Sequence, residues 1–444
     1  MRVLRSRRLT MWVALLLVFA LIAAACGDDD DSSTADEPAA DEPAADEPAA
    51  DERPFEGVTL QFAKAPHCDD ETDNFEEWLA PFEEATGITV EHTVVPWEEL
   101  EATYTANFAG GNPFDVTYQV STHLTLFGDV GAFADVTSLI EGDDFADAAS
   151  HFPSEIIDAS VYEGALYGVP FIIGTITMFA NLDLMADAGI TEIPTTGEEL
   201  VAASLAIQNP PDVWGFSTPT TVNDFGWYFN LQNVHNFGGD IISDDLSTAT
   251  IDSQPVIDAT QYAVDLICSD EVQPPLGQYD RNAALDLFRA GKLAFVLDEP
   301  LRVAVFQEEG LDFEWDIAQP VGNAGNISQF STTGHWSIAA NSDDPEAAWE
   351  LVKFLSSAEF SQTYNERYAF VPARDDVDVS GGDPLLAKNF EWAMTTWDGL
   401  VTHPKMAQLL DEYAKALEAA TTCDTPVAEA LADAQARAED LLAG

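Results

Sequence analysis

Seven histidines, at positions 67, 92, 123, 151, 235, 335 and 403, and 79 acidic residues are the groups that could do acid–base or metal chemistry. Their spacing argues against it. The histidines lie far apart and none pairs at a metal-ligand interval. No G-x-S-x-G, H-E-x-x-H, G-x-x-x-x-G-K-[ST] or G-x-G-x-x-G occurs. Two acids facing across a cleft could act as a glycosidase pair, but so acidic a chain produces such pairs by chance. Binding without cofactor or metal is therefore expected, and not catalysis.

Polar and aromatic residues instead gather in a few short segments. Lys64 to Asp70 sets one of only six lysines beside Asp69 and Asp70. These acids serve equally as helix caps, and an Asp–Lys pair would equally fix the loop. Gln119, Ser121, Thr122 and His123 form a second segment, where Ser121 or Thr122 is also a natural N-cap. Asp224, Trp227 and Tyr228 form a third, and their aromatics at helical spacing suit a core as well as a site. Glu299 and Arg302 form a fourth, with mutual ion pairing as the plain alternative. His335 and Trp336, then Trp397 and Asp398, complete the set.

The elements that must position these residues alternate. Val58 to Ala63 reads as a strand, Asp73 to Thr86 as a helix closed by Gly87, and Ile88 to Val95 as a strand. Trp97 to Phe108 follows as a helix and Phe114 to Val120 as a strand. A β-α-β-α-β order predicts an α/β fold with a largely parallel sheet flanked by helices. In such sheets ligands sit beyond the carboxyl ends of the strands, here at Lys64 to Asp70 and Gln119 to His123.

Before this body stand two segments of other character. Arg2, Arg5, Arg7 and Arg8 precede the apolar run Met11 to Ala25, which is shorter than the ~20 residues of a comfortable membrane span. Residues 1–25 therefore read as a signal peptide. Residues 26–54 begin at Cys26 and continue through four aspartates and three DEPAA repeats, a composition that predicts a disordered, self-repelling tether. Formal charge is −62, and removing the four leader arginines leaves −66. Such a surface repels nucleic acid and favours solubility in salt. The remaining body exceeds the size of one core, so two lobes are expected. Cys68, Cys268 and Cys423 allow one disulfide in an oxidising compartment, with the pairing open.

Several ordered motifs carry a resemblance. The run W-L-A-P-F-E-E-A-T-G-I-T-V from Trp78, followed by N-P-F-D-V from Asn112, resembles the maltose-binding-protein-like family 1 extracellular solute-binding proteins of ATP-driven importers. In the same order come Tyr167-Gly168-Val169-Pro170, Phe179 to Leu184 and Ala290 to Phe295. Gly334 to Ala339, Asp344 to Leu355, Val371 to Arg374 and Ala428 to Ala434 follow. The match spans nearly all of residues 55–444, and the L-I-A-A-A-C-G junction is similar to a bacterial lipobox with Ala23 where leucine is usual.

The resemblance implies the two-lobe periplasmic-binding-protein fold of type II, each lobe a mostly parallel sheet flanked by helices and joined by a hinge. Lobe one would comprise 55–174 and 333–380, and lobe two 175–332 and 381–444. It also implies a lipid on Cys26, a location on the outer face of the cytoplasmic membrane, a monomer, and ABC permease subunits as partners. The solute would be a small molecule, by family habit a mono- or oligosaccharide. A cationic solute such as a polyamine, or a sensor role, are the alternatives. Its implied contacts are Lys64, Asp69, Asp70, Gln119, Thr122, His123, Asp224, Trp227, Glu299, Arg302, His335, Trp336 and Trp397, with Trp336 the favoured stacking face. Gln119 and Leu301 stand where the family often has tryptophan, which points away from a linear maltodextrin.

Overall fold

The structure, a computed structural model, describes residues 53–443 except 69, 112–113, 223–224, 275–279, 322–327, 378–380 and 382. The leader, Cys26, most of the tether, Asp69 and Asp224 lie outside the described residues. In chain order the strands are β1 Thr59–Lys64, β2 Thr89–Val94, β3 Val116–Val120, β4 Val161–Tyr162, β5 Ala165–Leu166, β6 Val169–Thr175 and β7 Thr177–Asn181. There follow β8 Trp214–Ser217, β9 Leu293–Asp298, β10 Trp315–Ala318, β11 Gln329–Ile338, β12 Val371–Pro372 and β13 Trp397–Gly399.

The first expected helix forms over Glu71–Thr86 and buries Phe75, Leu79 and Phe82, an i, i+4, i+7 stripe that covers one face of the sheet. It stops at Gly87, whose φ of 80° is left-handed and whose N–H bonds to Glu83 O. That conformation favours glycine because it lacks a Cβ. Strands β1, β2 and β3 pair in parallel, as the β-α-β alternation predicts.

Two main sheets result. The seven-stranded sheet runs β12-β6-β11-β3-β1-β2, with β13 added to β11, and the four-stranded sheet runs β10-β7-β9-β8. Neither is as uniformly parallel as expected. Strand β11 is antiparallel to both β3 and β6, and β7 is antiparallel to both β9 and β10. The reason lies in how the chain changes lobe. Strand β6 belongs to the first sheet and β7 to the second, with Ile176 between them. Strand β11 begins with Phe330 in the second core and ends with Trp336 and Ile338 in the first. Strands that traverse both lobes reverse direction without a crossover helix, so they pair antiparallel.

The first core centres on Phe62, Phe75, Phe171, Trp336 and Tyr364, and the second on Phe229, Leu231, Leu409 and Tyr413. A smaller cluster around Phe179, Phe288 and Phe306 fills the other face of the second sheet. The disulfide left open by sequence joins Cys268 to Cys423, tying the end of the helix Gln254–Cys268 to the turn after the helix Met406–Thr421. Cys68 is a free thiol.

Candidate functional site

The carboxyl ends of β1, β3 and β9 carry polar side chains from both lobes, and those at β1 close on themselves. Lys64, the last residue of β1, and Glu71, the first of the following helix, are 1% and 2% exposed and stand 2.6 Å apart. The Lys64 ammonium also donates to Ala65 O at 2.8 Å and lies 2.9 Å from His67 Nδ1. Its three N–H donors thus have three acceptors. Burial, followed by the charge of Lys64, lowers the pKa of His67, whose Nδ1 also lies 2.7 Å from the Tyr364 hydroxyl. Tyr364 donates to Glu71 Oε1 at 2.8 Å, and the His67 backbone N–H donates to Oε2 at 2.5 Å. Burial alone would raise the Glu71 pKa, but Lys64 and His67 outweigh it and hold the carboxyl well below the usual range. The rings of Tyr118, Phe75 and Tyr364 enclose the ammonium, with Tyr118 at 4.9 Å. Burial lowers the Lys64 pKa against the opposing charge of Glu71; the side chain is held inside the loop, with Glu71 as its partner.

Asp70 instead holds the loop to the helix Ala358–Tyr368. It pairs with Arg367 and accepts from Tyr368 at 3.2 Å, and it makes no side-chain cap bond to its own helix.

In the second lobe a four-membered ionic cluster ends β9. Asp298, fully buried, accepts from Arg281 Nε at 2.9 Å and Nη2 at 2.8 Å, and from Arg302 Nε at 3.0 Å. Arg281 also reaches Glu299 at 2.9 Å. Glu299 and Arg302 therefore do not make the mutual ion pair that was the plain alternative to solute contact; Glu299 pairs with Arg281, and Arg302 with Asp298. Burial would raise Asp298, yet the two guanidinium groups prevail and hold it low. A recess beside this cluster, lined by Thr218, Thr220, Gln273, Arg281 and Asp298 among others, encloses about 20 Å³. That is room for a single water, whereas small-molecule sites typically occupy ~300–1,000 Å³.

Three expected contacts are sealed inside the first lobe. Trp336 is 1% exposed, donates from Nε1 to Leu355 O at 3.2 Å and packs 4.5 Å from Phe171, so the favoured stacking residue is core. His335 and Gln119 face each other in register between β11 and β3, both fully buried, and Gln119 Nε2 donates to Thr117 at 2.8 Å. Burial lowers His335 to about 3. Thr122 is also buried, and His123 turns toward Phe127 with its pKa lowered by burial to about 4. Ser121 does not cap its helix; its Oγ accepts from Thr333 N at 3.0 Å and so ties the helix Ser121–Asp129 to β11. Trp397 is half-buried on the first core. Trp227 is half-buried on the second, 5.8 Å from Tyr228. The aromatic face left open nearby belongs to Phe225, 40% exposed, which sequence reading did not select.

The family model for bacterial extracellular solute-binding proteins matches residues 77–402. The chain belongs to that family. A galactooligosaccharide-binding protein of Bacillus subtilis is 24% identical over 334 residues, covering 72% of this chain and 74% of its own. Among solved structures, an ABC substrate-binding protein of Listeria monocytogenes in complex with cycloalternan superposes with a TM-score of 0.76 at 21% identity, over 87% of this chain and 99% of its own. A solute-binding protein of Thermotoga lettingae bound with α-D-tagatose gives 0.77 at 18% identity, over 87% and 100%. The two-domain periplasmic-binding-protein fold is thereby shared, and the family is one of binding proteins and not of enzymes.

For this solute-binding protein, sequence reading missed Glu71, Tyr364, Arg281 and Asp298. Arg281 carried a usable signal, since no lysine or arginine occurs between Lys64 and Arg281. Tyr364 carried none, because it reaches Glu71 across 293 residues of chain.

Proposed function

We propose that the protein captures a small neutral sugar between its lobes outside the cell and delivers it to the permease of an ATP-driven importer, held at the membrane by a lipid on Cys26. Among the described residues, the charge balance at the strand ends carries the reading of the solute. Lys64 is matched by Glu71, Arg281 and Arg302 by Asp298 and Glu299, and Arg367 by Asp70. A polyamine would need carboxylates without partners, because burying an unpaired charge is costly. A hydroxylated neutral solute needs only donors, acceptors and an apolar face, and Phe225 and Trp227 offer that face. The relatives' solutes, a galactooligosaccharide, cycloalternan and tagatose, support the same class. Glu299, Arg302, Asp70 and Trp227 remain the side chains proposed to reach it.

A thermal-shift screen tests this, since a ligand of the folded state raises the melting temperature by mass action, by about 2.7 kcal/mol at a hundredfold excess over Kd. Neutral mono- and oligosaccharides are expected to raise it, and spermidine and free amino acids to leave it unchanged. A rise with spermidine alone would overturn the sugar reading. The anchor is tested separately: Cys26→Ser should release the protein from the membrane fraction, and unchanged retention would refute lipidation.

A further inference from the structure

A second recess, sharing no lining residue with the one beside Asp298, lies in the first lobe and encloses about 390 Å³. That falls within the range of ~300–1,000 Å³ for small-molecule sites. Its walls are the short helices Thr137–Ile140 and Ser154–Asp158 and the hairpin of β4 and β5. The backbone N–H of Leu166 donates to Thr137 Oγ1 at 3.0 Å, and that of Val136 to Leu166 O at 2.8 Å, which fixes the hairpin to the first of these helices. Ile156 is buried in the first core at 2% exposure, so Ile157, about 100° further round the helix, is left half-buried on the recess wall. Ile140, Val161 and Leu166 complete an apolar lining continuous with that core.

Glu141 and Asp158 also line the recess, and both are exposed. Among the described residues, neither makes an ion pair or a side-chain hydrogen bond. No lysine or arginine occurs between Lys64 and Arg281, while residues 135–163 hold eight acids. Lys353 and Arg374 approach this segment from elsewhere in the chain, and they are held by Asp144 and Glu350 and by Asp376. We infer that the recess binds a small organic cation with an apolar body, such as an arylalkylammonium ion, at a site separate from that of the solute. The apolar body leaves water against Ile140, Ile157, Val161 and Leu166. The ammonium stays at the wet rim, where it is little desolvated and meets two carboxylates that no other cation neutralises. A neutral aromatic molecule gains only the first contribution and a polyamine only the second, and a ligand carrying a carboxylate is repelled at the rim.

The test compares three probes on the full chain, phenethylammonium, phenethyl alcohol and spermidine, with dissociation constants from saturation-transfer difference NMR at low and high salt. Phenethylammonium is expected to bind about threefold to tenfold more tightly than phenethyl alcohol at low salt, the range that two partly exposed ion contacts supply, and to lose most of that advantage at high salt. Spermidine is expected to bind more weakly than either. The double variant Glu141→Gln/Asp158→Asn changes only exposed side chains and should bind phenethylammonium and phenethyl alcohol alike. Ile157→Trp fills the recess and should abolish binding of both, with an unchanged far-ultraviolet circular dichroism spectrum showing that the protein is folded; should it not fold, the double variant decides. Failure of phenethylammonium to bind the wild type overturns the inference. So does an ammonium advantage that survives in the double variant, or spermidine bound as tightly as phenethylammonium, since charge alone would then account for binding.

Discussion

Replacing Glu71 by Gln removes one charge of the buried pair at the end of β1 while keeping the shape of the side chain. Lys64 then faces Ala65 O and His67 without a counter-charge, at 1% exposure. Removing one partner of such a pair typically costs ~3–5 kcal/mol. The bonds from Tyr364 and from the His67 N–H contribute about 1 kcal/mol each and are partly kept by the amide oxygen. A loss of about 3–5 kcal/mol is therefore expected in urea unfolding followed by far-ultraviolet circular dichroism. Lys64→Met should cost a similar amount, because it leaves the carboxylate buried, and the double variant should cost clearly less than the two singles combined. The sign with pH is also set. Glu71 has a pKa depressed by folding, so its contribution is full above the ordinary carboxylate range of ~4.3 and is lost as pH falls below it toward the folded value. Glu71→Gln should flatten that part of the acid limb. A loss below about 1 kcal/mol, or a double variant as poor as the sum of the singles, would refute the account of an uncompensated buried charge.

Three other outcomes follow from the same structure. Trp336→Ala should destabilise the first lobe by ~3–5 kcal/mol through the cavity it leaves, measured by denaturant unfolding, while protein that remains folded keeps its solute affinity; an abolished affinity without loss of stability would restore the stacking role. Cys268→Ser opens a loop of 155 residues, so about 5 kcal/mol should be lost, and reducing agent should lower the melting temperature of the wild type but not of the variant. His335, lowered to about 3 by burial, stays neutral when folded and charges when unfolded below about 6.5. Its stabilising effect is full above that pH and declines by up to ~1.4 kcal/mol per unit as pH falls toward 3, so His335→Gln should give a shallower acid limb in pH-dependent unfolding.

Local order was legible in the sequence where one face of an element is buried and the other is wet. Phe75, Leu79 and Phe82 mark their helix by spacing alone, and Gly87 marks its end. Strand β11 defeats the same approach. His335 and Trp336 point to opposite faces of the sheet and both are buried, because a central strand is covered on each side, so alternation cannot reveal which face looks toward a cleft. Lys64 stands out by the scarcity of lysine, but its partner is Glu71, brought over the strand end by the first turn of the helix. Glu299 and Arg302 are adjacent enough to suggest a pair, yet Asp298 and Arg281 lie nearer once the helix Arg281–Arg289 packs beside β9.

Taken alone, the sequence determined the family, the β-α-β start of the first lobe and the segments in which polar groups collect, because these depend on periodicity and on motif order along the chain. Which of those groups are sealed in a core or an ion pair, and which cysteines join, were decided only by the tertiary structure. These depend on residues such as Tyr364 and Glu71, or Cys268 and Cys423, that are distant in the chain and adjacent in space.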